Sequence, residues 1–172
     1  MELWDLYDVN MRPLGRTHVR GTGMEPGTYH IGVDVWIINS KGEILLTLRA
    51  PEKHDLPNEW ENTCGSAVAG ETPIQGAMRE LREETGIVAG PEDLRPFARR
   101  TTGDTHLFTY LLRRDVPLDS LTFQPGETVD AMYVTAKQLD EVVARPVGAR
   151  PAGERWPFVR GKVMEVIEGI RH

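Results

Sequence analysis

The chain has 172 residues, 40% apolar and 27% charged, which suits one folded domain with a buried core and excludes disorder. Its 26 acidic residues outnumber 20 basic ones, and a net charge of −6 argues against a broad nucleic-acid or anionic-membrane footprint. The single cysteine, Cys64, excludes an internal disulfide framework and a cysteine-based zinc site. No apolar run approaches the ~20 residues that span a bilayer. The opening MELWDLYDVN has neither the basic start nor the apolar stretch of a secretory signal, so the expected location is cytoplasmic.

Residues 2–9 read as an extended segment, and Asn10 to Gly15, with Pro13 inside, as a turn. Arg16 to Arg20 would pair back on it as a hairpin. The stretch from Arg20 to Gly27 carries three glycines and a proline, which marks it as a linker between an arm at 1–28 and a domain at 29–172. From Tyr29 to Ile38 the pattern alternates, with Ile31, Val33, Val35 and Ile37 opposite His30, Gly32, Asp34 and Trp36. That is strand periodicity. A turn over 39–42 and a strand over 43–49 make it half of a hairpin. A proline-bearing loop over 50–58 precedes a short strand from Cys64 to Val68.

The clearest helix runs from Pro73 to Thr85. Thr72 is its N-cap, Pro73 opens it, Gln75 completes a capping box and Gly86 stops it. Its apolar face is Ile74, Ala77, Met78 and Leu81. Strands over 95–102, 105–112 and 128–135 follow, then helices over 136–144 and 155–168. The expected class is a mixed α/β fold with helices packed on a sheet.

Chemistry concentrates in residues 65–87, GSAVAGETPIQGAMRELREETGI. At 100° per residue, Glu80, Glu83 and Glu84 share one narrow sector off the apolar stripe. Like charges so spaced destabilise a bare helix by a few tenths of a kcal/mol each, yet hard oxygens on a rigid helix are what Mg²⁺ or Mn²⁺ needs. Arg79, four residues before Glu83, neutralises part of the charge. Glu71 adds an acid at the positive end of the helix dipole. A solvated acidic face is the bland alternative for such a run.

The spacing decides between them. Gly65, then five residues, Glu71, then seven, Arg79-Glu80-Leu81, one, Glu83-Glu84, one, Gly86-Ile87 resembles the Nudix signature at all nine specified positions. The resemblance covers roughly 29–145. It implies a mixed sheet sandwiched between helices, with the signature as a loop–helix–loop. It also implies Mg²⁺- or Mn²⁺-dependent hydrolysis of a diphosphate bond in a small nucleoside diphosphate derivative, with neither a nucleic-acid polymer nor a membrane as partner, in a chain that assembles as a homodimer. On the matching positions, Glu80, Glu83 and Glu84 become metal ligands, joined by the Gly65 carbonyl. One of these three, Glu80 by preference, becomes the base, Arg79 the orienting partner and Glu71 a supporting acid. A further acid from outside the signature would come from Glu127, Asp130 or Asp104.

The chain also resembles isopentenyl-diphosphate isomerases of the same fold, through LYDVNMRPLGR, the histidine of TYHIGVDVWIINSKGEILLTLRA, and WENTCGS. Cys64 falls where their catalytic cysteine sits. Three departures count against isomerisation. Only His30 matches the histidine-rich metal site, with Gly23 and Ser66 where further histidines belong. The paired glutamates expected near 103–106 are replaced by Gly103-Asp104-Thr105-His106, while the complete hydrolase acid set is retained. A non-catalytic sensor of the same fold is the third reading.

For substrate phosphates the candidates are Arg49 at the end of its strand, Lys53 and His54 in the next loop, and Arg99 and Arg100. His30 reads as a structural histidine. Trp36, Trp60, Tyr133 and Trp156 are candidates for base stacking that fit the core as well. No motif names the group attached to the diphosphate.

Overall fold

In the computed structural model, residues 2–145 and 147–170 are described. Met1 of the expected arm, and Pro146, Arg171 and His172 of the expected domain, lie outside the described residues. The strands are β1 (Leu3–Tyr7), β2 (Pro13–Val19), β3 (His30–Ile38), β4 (Ile44–Arg49), β5 (Trp60–Glu61), β6 (Thr63–Ser66), β7 (Leu94–Thr102), β8 (Thr105–Arg113) and β9 (Thr128–Val134). The helices are α1 (Pro73–Thr85), α2 (Ala136–Val143) and α3 (Arg150–Ile170).

The alternating segment becomes β3, but all nine of its residues are buried, so both faces meet protein. Ile31, Val33, Val35 and Ile37 pack toward Ala77 and Leu81 of α1. Trp36 and Ile38 pack with Leu46 against Leu139 of α2 and Trp156, Val159, Val163 and Ile167 of α3. The sheet is thus the middle layer of three. A strand buried on both faces belongs beside a parallel neighbour. β8 supplies it, running parallel to β3 from His30 opposite Thr105 to Ile38 opposite Arg113.

The hairpin expected from β3 and β4 is real only at its base. The two strands pair at Ile38 and Ile44 and then part. Across Gly32 to Val35 the ladder groups of β3 are taken by β6, while β4 pairs with β5 and β9. This splay brings β6, which carries Cys64 and Gly65, into the sheet beside the end of β3 that begins at His30. The turn signal located the reversal correctly, but pairing beyond it depended on the distant β6 strand. The short β5 was absent from the sequence expectation.

Helix α1 has the expected bounds. Gln75 N–H donates to the Thr72 side chain, the Gln75 side chain reciprocates, and Gly86 closes the helix at φ 75° with its N–H on the Arg82 carbonyl. Leu81 is fully buried, worth roughly 2 kcal/mol of transfer energy. Helix α3 begins five residues before the expected start. Pro151, Gly153, Pro157 and Gly161 depress its helix propensity, so the signal was weak. The buried row of Trp156, Val159, Val163 and Ile167 holds it in place.

The arm lies on its own chain. β2 starts already at Pro13, inside the expected turn, and pairs antiparallel with β1. Ala69 N–H donates to the Leu3 carbonyl at 2.7 Å, and Gly70 N–H to Asp5 Oδ2 at 2.7 Å. Trp4 stacks on His30 with ring centroids 3.9 Å apart. The arm therefore braces the loop that leads into α1.

Candidate active site

Helix α1 packs on β6, and one glycine sets how closely. A Cβ on Gly65 would sit 2.1 Å from Glu80 Cδ, so only glycine lets the Glu80 carboxylate lie on that strand. Arg79 then ties the acids together. Its Nε and Nη2 donate to Glu71 at 2.9 and 3.1 Å. Its Nη1 donates to Glu80 at 2.9 Å and Glu83 at 3.0 Å, and Nη2 also reaches the Ser66 carbonyl at 2.8 Å. Burial works against the charge on Arg79, but the bonds to Glu71 and Glu80 outweigh it and push its pKa further up. Glu71 in turn accepts the Val68 N–H at 3.0 Å, fixing the loop before the helix.

Glu84 lies one turn further in, 7% exposed, with one oxygen accepting the Cys64 N–H at 3.3 Å. Burial pushes its carboxyl well above the usual range, and the charges of Glu61 and Glu80 add to the shift. Burial raises Glu80 as well. Glu61, on β5 and 4% exposed, is the acid the sequence reading missed. It accepts Arg49 Nη1 at 2.7 Å and the Cys64 thiol at 3.2 Å. The available signal was the polar run Glu59, Glu61, Asn62, Thr63 in a stretch with little else to bury. Burial also pushes the Cys64 thiol well up, which keeps it protonated.

Beside these groups opens a cleft of about 540 Å³. Gly65, Cys64 and Ser66 line it from β6, His30 and Gly32 from β3, Arg100 from β7, and Arg155 and Phe158 from α3. His30 donates or accepts through Nε2 with Thr105 Oγ1 at 2.9 Å, and burial lowers its pKa. Its ring is buried and stacked on Trp4, and its Nδ1 finds no hydrogen-bond partner among the described residues.

The other expected residues fall into two groups. Arg49 is spent on structure: its guanidinium donates to the Asp55 and Leu56 carbonyls as well as to Glu61, which pins the 50–58 loop. Lys53 forms an ion pair with Glu127, and His54 is exposed beside Asp55. Asp104 sits in the β7–β8 turn, where its carbonyl accepts the His30 N–H at 2.9 Å. Asp130 bonds the N–H of its neighbour Ala131 at 2.8 Å. Trp36 and Trp156 are fully buried and pack on each other, so neither is a stacking platform.

Among the described residues no three His, Cys, Asp or Glu side chains already converge as a metal cage. The reason is visible in Arg79, which holds Glu80 and Glu83. Yet Glu61, Glu80 and Glu84 crowd their charge into a desolvated corner, and hard carboxylate oxygens match a divalent cation of the Mg²⁺ class. The donor set fits such an ion.

Residues 28–154 match the family model described as NUDIX domain. An uncharacterized Nudix hydrolase of Listeria monocytogenes is 35% identical over 159 residues, covering 92% of this chain and 90% of its own length. The crystal structure of DR0079 from Deinococcus radiodurans aligns at a TM-score of 0.72 and 25% identity, over 92% of this chain and 98% of that one. An isopentenyl-diphosphate delta-isomerase of Aspergillus fumigatus is 27% identical over 180 residues, covering 84% of this chain and 64% of its own length.

Proposed function

We propose, from the premise that this chain belongs to the Nudix hydrolase family and is a pyrophosphohydrolase, that it cleaves the diphosphate linkage of a nucleoside diphosphate derivative with Mg²⁺ or Mn²⁺. The observation that carries this reading is the Glu80 carboxylate laid on Gly65 beside Glu84, at the edge of the cleft. Glu80 and Glu84 would hold the cation, with the Gly65 carbonyl and Glu83 completing the set. When bound, such an ion screens the diphosphate charge and acidifies the attacking water. The chain's own residues do the rest. Arg79 fixes the Glu80 rotamer and anchors the loop through Glu71 and the Ser66 carbonyl. Glu80, the proposed base, takes the proton of the attacking water.

Cys64 keeps the isomerase alternative in view, since it lines the same cleft and donates to Glu61. The test is a product-release screen of nucleoside diphosphate derivatives, nucleoside triphosphates and isopentenyl diphosphate with Mg²⁺ or Mn²⁺. Metal-dependent cleavage of one derivative, lowered by orders of magnitude in Glu84→Gln and nearly intact in Cys64→Ala, is expected. Full turnover in Glu84→Gln would sink the assignment of α1 as the metal helix. Conversion of isopentenyl diphosphate abolished in Cys64→Ala would establish the isomerase instead.

A further inference from the structure

Two arginines, Arg100 and Arg155, line the cleft beside Gly65, and one of them keeps a buried donor without a hydrogen bond among the described residues. Arg155, on α3 and one residue beyond the family match, lines the cleft together with Cys64 and Gly65. Its Nη1 is buried and finds no hydrogen-bond acceptor among the described residues. The nearest carboxylate is Glu61 at 3.6 Å, but Glu61 is already engaged by Arg49 at 2.7 Å and by the Cys64 thiol. Asp34 lies below, in a smaller chamber of about 230 Å³ that Arg155 and Arg100 also line, and both its oxygens are likewise without a donor. A buried guanidinium that forgoes its bonds costs stability unless something else accepts them.

Arg100, on β7, lines the same cleft. Its Nη2 donates to the Glu154 carbonyl at 3.2 Å, and its guanidinium carbon lies 3.7 Å from the Phe158 ring centroid. That stacking holds a planar donor in place before any ligand arrives, although the Phe158 ring is itself 62% exposed. Two guanidiniums thus line one cleft together with Gly65, against which the Glu80 carboxylate lies. Like charges so placed repel each other, and an anion between them removes that repulsion while satisfying the open donors.

Resting on the hydrolase reading above, we propose that Arg155 and Arg100 form a phosphate clamp that seats the substrate's diphosphate in the cleft beside Glu80 and Glu84. The clamp takes phosphate oxygens, so the ligand class is a diphosphate or a bulkier phosphoanhydride. The exposed Phe158 face beside it would flank whatever group the diphosphate carries.

The test is calorimetric titration of the full chain with methylenediphosphonate, a non-hydrolysable pyrophosphate, in Mg²⁺ at several salt concentrations. Arg155→Met is expected to weaken binding about ten- to hundredfold and to flatten the salt dependence. Arg155→Lys should recover part of the affinity, and in turnover assays the Met variant should raise KM more than it lowers kcat. Because Arg155 also sits near Asp34 and Glu61, its apolar replacement risks the fold. Arg100→Met, at a half-buried position, provides the second variant, with a three- to thirtyfold loss expected on the same reasoning. Binding within twofold of the parent in both variants, or no binding by the parent, overturns the clamp. Turnover of a nucleotide derivative that neither substitution disturbs overturns the clamp alone. Tight probe binding through Arg155 with no turnover of any diphosphate leaves the clamp standing and removes the hydrolase.

Discussion

Helices α1 and α3 flank opposite faces of the same sheet, and they are built on opposite plans. Every device that starts, stops and charges α1 lies within the helix or a few residues before and after it: the Thr72–Gln75 box, the Gly86 stop, and Arg79 reaching Glu71, Glu80 and Glu83. Helix α3 carries Pro157 in its interior and leaves the Arg155 guanidinium unbonded at Nη1. Its order comes from the core, where Trp156 packs on Trp36 and its ring N–H reaches Asp140 of α2 at 2.7 Å. A locally specified helix can present a rigid, self-neutralised ligand set. A helix specified by tertiary packing can hold a guanidinium whose Nη1 makes no hydrogen bond among the described residues, because its order comes from the core.

The contrast can be broken or sharpened experimentally. The largest effect is expected at the seat of α1. Gly65→Ala places a methyl where the Glu80 carboxylate lies, so turnover should fall about a hundredfold or more while the circular dichroism spectrum is unchanged. Parent-like rates would mean that Glu80 does not need β6. Next comes α3, where Trp156→Ala should cost about 3–5 kcal/mol by urea unfolding, since it empties a fully buried site and removes one hydrogen bond to Asp140. A loss below about 1 kcal/mol would show that α3 holds itself together.

Smaller still is the cap. Thr72→Ala should cost about 1 kcal/mol, read as a midpoint shift in the same denaturation, because the Gln75 N–H loses its acceptor. The smallest effect is pH-dependent and links α2 to α3. Hydrogen bonds from Arg160 at 2.8 Å hold the Asp140 carboxyl below its ordinary value. A lowered folded pKa means stability that is present above the unfolded value of about 3.9 and lost as pH falls through the folded one. Asp140→Asn should therefore be less stable than the parent at pH 7, with the gap narrowing as pH falls below about 3.9. A gap that is constant with pH would assign the loss to packing instead.

How much of this was legible beforehand follows the same division. The bounds of α1, its capping box and the acid spacing were readable because each depends on residues within one or two turns. The strands were readable from alternation, and the reversal at 39–42 from its turn residues. Their partners were not, because β6 displaces β4 from most of β3 through contacts 30 residues apart in sequence. Among the expected site residues, the spacing put Arg79 within reach of Glu71, Glu80 and Glu83, and the structure brings those four together. Glu61 was missed because its only mark in the chain is a short polar run whose burial the sequence does not show, and Arg49, expected at a substrate phosphate, bonds the Asp55 and Leu56 carbonyls and Glu61 in the folded chain.

The sequence by itself determined the family, the three-layer class and the acidic helix, since local periodicity, capping and a nine-position spacing are properties of neighbours. Only the tertiary structure decided which acid joins that helix, which arginines remain open and what shape lies between them. Those are consequences of burial, and burial is set by elements that meet from opposite ends of the chain.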